Sequence, residues 1–202
     1  MSDAIKRLVI ASNNKGKVRE LERVLVPLGI EVLTQSALEI SEAEEPFGTF
    51  VENALAKARH VAALSGLPAL ADDSGICVDA LGGAPGVQAA HFAGEPKSDL
   101  RNNQHLLASL NDVADRRAHY VCVIVLLRHA ADPQPIIAEG EWHGEILQAP
   151  RGTGGFGYDC LFLDVASGKS GAEMSVDEKN RISHRGKALS KLVSQLTGQS
   201  RR

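Results

Sequence analysis

The feature that most constrains this chain is a pair of adjacent carboxylates set between apolar runs. Residues 67–71 lead into Asp72-Asp73-Ser74-Gly75, and residues 76–81 follow. The flanking segments read as buried strands, one entering the polar stretch and one leaving it. A fold that buries those strands carries two negative charges inward, which is costly unless something compensates them. A hard divalent cation such as Mg²⁺ is one compensation, because it prefers carboxylate oxygen. A polar turn is the other reading, since Asp, Ser and Gly are ordinary turn residues.

Around this centre the chain alternates short strands with helices. Residues 7–11 read as a strand, followed by the polar loop Ser12-Asn13-Asn14-Lys15-Gly16-Lys17. Val18, Leu21, Val24, Leu25 and Leu28 then recur at helical spacing and Gly29 stops them. A strand at 30–33 leads to an acidic loop, 41–48, containing Glu42, Glu44 and Glu45. Thr49-x-x-Glu52 has the form of a capping box opening a helix that ends at Gly66. Asn53 and Lys57, four apart on that helix, are expected to point together into a cleft.

Past the carboxylate pair come a glycine- and alanine-rich loop (82–94), a helix (100–110) behind Ser98, and a Val-rich central strand (118–128). Asp132-Pro133-Gln134-Pro135 turns the chain back into an antiparallel partner at 136–142. Short strands at 145–148 and 160–163 flank a glycine-rich loop. Ser175-x-x-Glu178 is a second capping box, and Ser183 caps a last helix with Leu189, Leu192, Val193 and Leu196 on its core face. With no repeats and no linker-like tract, one α/β domain over residues 1–202 is expected, frayed from about residue 198.

Composition removes several function classes. A net charge of −3 argues against a broad basic surface for nucleic acid. No apolar run is long enough to span a bilayer, so no membrane partner is expected. Residues 1–7 lack the pattern of a signal peptide, which points to a cytoplasmic protein. Cys77, Cys122 and Cys160 form no C-x-x-C, and Cys77 and Cys122 lie in apolar runs as expected for buried free thiols. Gly152-x-Gly154-x-x-Gly157 spells a dinucleotide fingerprint, but that motif must follow a strand and open a helix. Here Pro150 precedes it and a strand-like run follows. Gly168-Lys169-Ser170 fails as a P-loop, because the first glycine would fall at Leu163.

What survives is a set of phosphate-type features. Ser12, Asn14 and Lys17 lie between strand and helix, where backbone N–H groups and the helix dipole favour anions. A lysine at a helix start opposes that dipole, a conflict an anionic ligand resolves. Glu45 precedes a helix, Asp72, Asp73 and Ser74 form the centre, and Phe156-Gly157-Tyr158-Asp159 offers a ring and a carboxylate. Lys179 and Ser183-His184-Arg185 offer donors at a helix start.

Taken in order, Ser-x-Asn-x-x-Lys from Ser12, Thr-Phe-x-Glu-Asn-Ala from Thr49, Ala-Asp-Asp-Ser-Gly from Ala71, Gly-Gly-Ala-Pro-Gly from Gly82, Gly-Thr-Gly-Gly-Phe-Gly-Tyr-Asp from Gly152 and Glu-Lys-x-x-x-Ser-His-Arg-Gly from Glu178 closely resemble the inosine triphosphate pyrophosphatase family, in its bacterial dITP/XTP pyrophosphatase branch. The resemblance covers roughly residues 8–196. It implies an elongated α/β fold of two lobes, with a long mixed β-sheet and a cleft between the lobes. It implies Mg²⁺-dependent hydrolysis of deaminated purine nucleoside triphosphates (dITP, ITP, XTP) to monophosphate and pyrophosphate, by a homodimer. Asp73 matches the family's catalytic carboxylate and metal ligand, and Glu45 matches the acidic residue that helps hold Mg²⁺. Ser12, Asn13, Asn14, Lys15, Gly16 and Lys17 match the triphosphate loop, and Lys57 and Ser74 match further substrate contacts. Phe156, Gly157, Tyr158, Asp159, Lys179, His184 and Arg185 match the nucleoside and base pocket.

Three departures stand out. Ser12 replaces the common Thr and keeps its hydroxyl. Asn13 replaces Gly, which is tolerable because Asn adopts left-handed backbone angles better than most residues. Cys160 replaces Pro. Two other functions are set aside on residues. A module that senses purine triphosphates without turnover would not need Glu45 and Asp73. A pyrophosphatase for modified pyrimidine nucleotides is disfavoured by Ser183-His184-Arg185-Gly186.

Overall fold

The strands β1 (Arg7–Ile10), β2 (Glu31–Thr34), β3 (Ala69–Val78), β4 (Arg117–Leu127), β5 (Ile136–Ile146), β6 (Phe162–Asp164) and β7 (Lys169–Ser170) form one seven-stranded sheet in the order β2-β1-β3-β4-β5-β6-β7. They belong to a computed structural model that describes residues 5–198. The expected fraying beyond Gly198 falls on residues 199–202, outside the described residues. The sheet is mixed: β1 runs parallel to β2 and β3, while β5–β6 and β6–β7 are antiparallel. The helices are α1 (Lys15–Leu25), α2 (Phe50–Ser65), α3 (Asp99–Ser109), α4 (Val176–Ile182) and α5 (His184–Leu196).

Two expectations about strand limits are corrected. The carboxylate pair is not a turn between two strands, because β3 runs unbroken through Asp72-Asp73-Ser74-Gly75. Turn-type residues lie in mid-strand here because tertiary contacts of their side chains outweigh local propensity. Likewise residues 136–142 and 145–148 are not two strands. β5 continues through Gly144, where an added Cβ would stand 2.2 Å from the Leu163 carbonyl oxygen. Gly144, in the gap between the two expected strands, lets a neighbouring backbone come close.

The chain separates into two compact units. The first gathers the chain up to Asp73, Val123–Glu139 and the chain from Ala188 onward. Its fully buried side chains include Leu8, Val9 and Ile10 of β1, Leu25 of α1, Ala54 and Ala58 of α2, Ile124 and Leu126 of β4, and Leu192 of α5. The connection β1–α1–β2 is the crossover that parallel neighbours require. Thr49 caps α2 by accepting from the Glu52 amide, and Gly66 ends it in the left-handed conformation at φ 67°. Glu52 turns its carboxylate to the Thr49 hydroxyl at 2.6 Å.

The second unit comprises Ser74–Cys122 and Gly140–Lys187. Its core joins Ile76, Leu106, Tyr120, Trp142, Tyr158 and Phe162. The Trp142 indole donates to Asp164 at 2.9 Å, so the largest buried ring is also satisfied as a polar group. α4 carries the complete capping box expected of Ser175 and Glu178. The Ser183 hydroxyl accepts from the Gly186 amide at the start of α5. All three cysteines are free; Cys122 is buried as expected, whereas Cys77 is only partly buried. Among the described residues no helix is long and apolar enough to cross a membrane.

Candidate functional site

In the first unit the site grows from β3. Successive strand residues point to opposite faces, and Asp72 and Asp73 each meet a different lysine. Lys17 Nζ lies 2.9 Å from Asp72 Oδ2. Lys57 Nζ lies 3.0 Å from Asp73 Oδ1 and 2.7 Å from Glu45 Oε2. Both aspartates are buried, at 3% and 7% exposure, so the compensation that their burial demands is supplied by ammonium groups of the chain itself.

Asp73 is the chemically poised member. Burial pushes its carboxyl up to about 6 against an ordinary 3.8, with the Lys57 ammonium pulling the other way and Glu45 adding to the rise. Its Oδ2 is buried and receives no hydrogen bond from the described residues. Burial alone would depress the Lys57 ammonium, but Asp73 and Glu45 outweigh it and hold that group above its usual value. Glu45 is half exposed and lies in an irregular segment.

That segment is fixed by a residue whose role the sequence did not disclose. Asn53, 1% exposed, accepts from the Phe47 amide and donates to the Phe47 carbonyl, both at 3.1 Å. It does not join Lys57 in a cleft as the four-residue spacing suggested. It clamps the loop that carries Glu45. The pairing of Asp72 with Lys17 is a second contact that spacing alone did not reveal.

The loop between β1 and α1 is built by its own side chains. Asn14 is the N-cap and accepts from the Gly16 amide at 2.9 Å and the Lys17 amide at 3.3 Å. Ser12 Oγ accepts from the Asn14 amide at 3.2 Å. Ser12 and Asn14 thus shape the turn that aims Lys17 at Asp72. Lys15 and Gly16 are exposed in the first turn of α1. Asn13 does not use left-handed backbone angles: Glu39 and Asp112 are the positive-φ residues other than glycine among those described. Its side-chain Nδ2 instead donates to Glu42 at 2.7 Å.

In the second unit the organiser is Asp159. It is 3% exposed, accepts from the Phe156 amide at 2.9 Å and pairs with Lys179. Gly155 makes room for it, because a Cβ there would stand 2.1 Å from Asp159 Oδ2. Phe156 is left 52% exposed, with Lys179 Nζ 5.1 Å from its ring centroid. Gly157 follows it in the left-handed conformation. Tyr158 turns inward and donates its hydroxyl to the Ala89 carbonyl at 2.8 Å.

His184 is buried and stacks on Tyr120, with centroids 4.6 Å apart and planes 9° apart. Arg185 is also buried and donates to Ser74 Oγ at 3.1 Å. Lys179, read from sequence as a donor to ligand, therefore also serves the fold by compensating Asp159.

The sequence profile described as the Ham1 family matches residues 8–195. The dITP/XTP pyrophosphatase of Nitrosomonas europaea is 62% identical over 96% of this chain and 95% of its own length. That of Aromatoleum aromaticum is 63% identical over 95% and 96%. Among solved structures, a HAM1 protein from Coxiella burnetii superposes with a TM-score of 0.93 at 44% identity, covering 96% of this chain and all of that one. The Staphylococcus aureus Ham1 protein gives a TM-score of 0.88 at 37% identity, with 96% of this chain and all of that one covered.

Proposed function

This chain belongs to the Ham1 family, and from that premise we propose that it hydrolyses deaminated purine nucleoside triphosphates (dITP, ITP and XTP) to the monophosphate and pyrophosphate, clearing them from the nucleotide pool. The observation that carries this reading is Asp73, a buried carboxylate that burial raises to about 6, that keeps one oxygen without a donor among the described residues, and that shares Lys57 with Glu45.

The residues present fit Mg²⁺. It is usually held by one or two carboxylates, with waters and substrate phosphate completing its shell. Glu45 and Asp73 supply that donor type. Among the described residues no group of three or more His, Cys, Asp or Glu side chains could hold an ion, so an all-protein cage is not on offer. Glu45 and Asp73 would hold the ion, which when bound polarises a phosphoryl oxygen and offsets developing charge.

The chain's own residues do the rest. Lys17 and Lys57 bring positive charge to the triphosphate, whose negative charge repels a nucleophile. Asp73 orients a water and accepts its proton, which requires the ionised form. Burial raises the Asp73 carboxyl to about 6, so the ionised form is the major one at pH 7. Attack at the α-phosphorus then releases pyrophosphate. Ser12, Asn13, Asn14, Lys15 and Gly16 shape the loop that presents Lys17. Phe156 provides a stacking face for the base, and Lys179, His184 and Arg185 provide its polar environment. Ser74, next to Asp73 on β3, is held by Arg185. The 202 residues act as one catalytic domain in the cytoplasm.

Product identification tests the reaction. ITP with Mg²⁺ should yield IMP and pyrophosphate in equal amounts. Formation of IDP and phosphate would contradict it, and binding without turnover would favour a sensing module. A homodimer is part of the same proposal. Light scattering across a concentration series should give twice the 21.5 kDa chain mass at micromolar protein, whereas a constant single-chain mass would reject the dimer.

A further inference from the structure

We propose that Asp99 and Asn103, on the first turns of α3, are positioning residues that set the Phe156 ring for base binding; this rests on the nucleoside role proposed above for Phe156. Between Phe156 and Tyr158, both backbone polar groups of Gly157 are taken by these two side chains. The Gly157 amide donates to Asp99 Oδ2 at 2.7 Å, and Asn103 Nδ2 donates to the Gly157 carbonyl at 2.9 Å. Residues four apart on a helix lie one above the other on the same face, so α3 presents an acceptor and a donor at the spacing of one peptide unit.

The clamp completes the fixing of Phe156. Asp159 holds the Phe156 amide on one side, and α3 holds the following residue on the other. Gly157 sits at φ 62°, a conformation in which the backbone has no side chain of its own to anchor it. A half-exposed ring on such a loop gains a defined direction only from contacts like these. Without them it must be ordered at the moment of binding, which weakens affinity.

The same helix is built to be rigid where the clamp sits. Asn102 accepts from the Ala93 amide at 2.8 Å and donates to the Ala90 carbonyl at 2.9 Å. Ser98 caps the helix through the Arg101 amide. Asn103 itself is 8% exposed. Neither Asp99 nor Asn103 needs to touch a ligand for this role, and neither lies among the groups that handle phosphate.

The effect should therefore appear in substrate binding and not in the chemical step. Asn103→Leu keeps the branched shape but removes the donor to Gly157, and Asp99→Ala removes the acceptor from an exposed position. Each is expected to raise KM for ITP on the order of tenfold while kcat stays within about twofold. Asp99→Asn retains an oxygen acceptor and should restore most of the KM. Hydrogen exchange of peptides covering residues 153–158 should speed up in Asn103→Leu and Asp99→Ala but not in Asp99→Asn.

A double-mutant cycle with Phe156→Ala separates positioning from general loss of structure. Once the ring is gone, Asp99→Ala should raise KM no further. Additive effects, or unchanged exchange at residues 153–158, would overturn the positioning role alone. A Phe156→Ala protein with the parent's KM would overturn the nucleoside role of Phe156 and the clamp with it.

Discussion

Asp73→Asn is expected to lower ITP turnover on the order of a hundredfold or more while leaving the fold nearly intact. The substitution keeps the shape of a side chain buried in mid-strand and removes one negative charge. It also removes the proton acceptor and half of the carboxylate pair proposed to hold Mg²⁺. Loss of either function suffices, because a neutral amide can neither take the proton nor attract a hard cation as a carboxylate does.

Its pH dependence gives a second signature. In the parent, activity should fall on the acid side as Asp73 takes up a proton, its carboxyl being raised by burial. The folded-state value is raised above the ordinary 3.8, so proton uptake by Asp73 stabilises the folded chain. That contribution is full below about pH 4 and is lost as pH rises through about 6. The asparagine variant should lose this part of the stability profile, which melting curves between pH 4 and 7 on both proteins would reveal. A well-folded Asp73→Asn protein with near-normal turnover would remove the catalytic assignment.

Arg185→Ala is expected to collapse the preference for ITP over ATP, and to do so more than Phe156→Ala. Hypoxanthine and xanthine carry a keto oxygen at position six, whereas adenine carries an amino group. A guanidinium or an ammonium donates only. The base site proposed around Arg185 and Lys179 would therefore suit a keto purine and set donor against donor with adenine. In a desolvated site such a mismatch can discriminate by roughly four or five orders of magnitude.

Arg185 is 7% exposed and oriented by its bond to Ser74, so its donors are fixed in direction, which selectivity needs. Lys179 is the weaker candidate, since its ammonium is engaged by Asp159. A phenyl face stacks on any purine, so losing Phe156 should raise KM for ITP and ATP alike. Steady-state constants for both nucleotides with both variants decide between the two roles. An unchanged ITP-to-ATP ratio in Arg185→Ala would assign selectivity elsewhere.

The helices were the most legible elements in the sequence, because their stop and start signals are local. Gly29 and Gly66 adopt the left-handed angles expected of helix ends, and Ser98, Ser175 and Thr49 cap as their spacing indicated. The centre of β3 was misread because Asp-Asp-Ser-Gly has turn composition. What keeps it extended is long-range, namely lysines from the first turn of α1 and the middle of α2. The split of β5 has a similar cause, since the backbone that approaches Gly144 belongs to a strand eighteen or more residues away.

Within the candidate site, charge and order of motifs pointed to Asp73, Glu45, Lys17 and Lys57. They did not reveal which lysine serves which carboxylate. Nor did they mark Asn53, Asp99 or Asn103. Those residues act on backbone groups of loops distant in sequence, and a side chain that bonds a remote amide or carbonyl leaves no periodic or compositional trace.

The most direct test of the central claim is pyrophosphate release by the parent protein with ITP and with ATP, assayed side by side in Mg²⁺. The account predicts kcat/KM for ITP at least about a hundredfold above that for ATP. Equal turnover of the two nucleotides would contradict it, even with Asp73 and Mg²⁺ both essential.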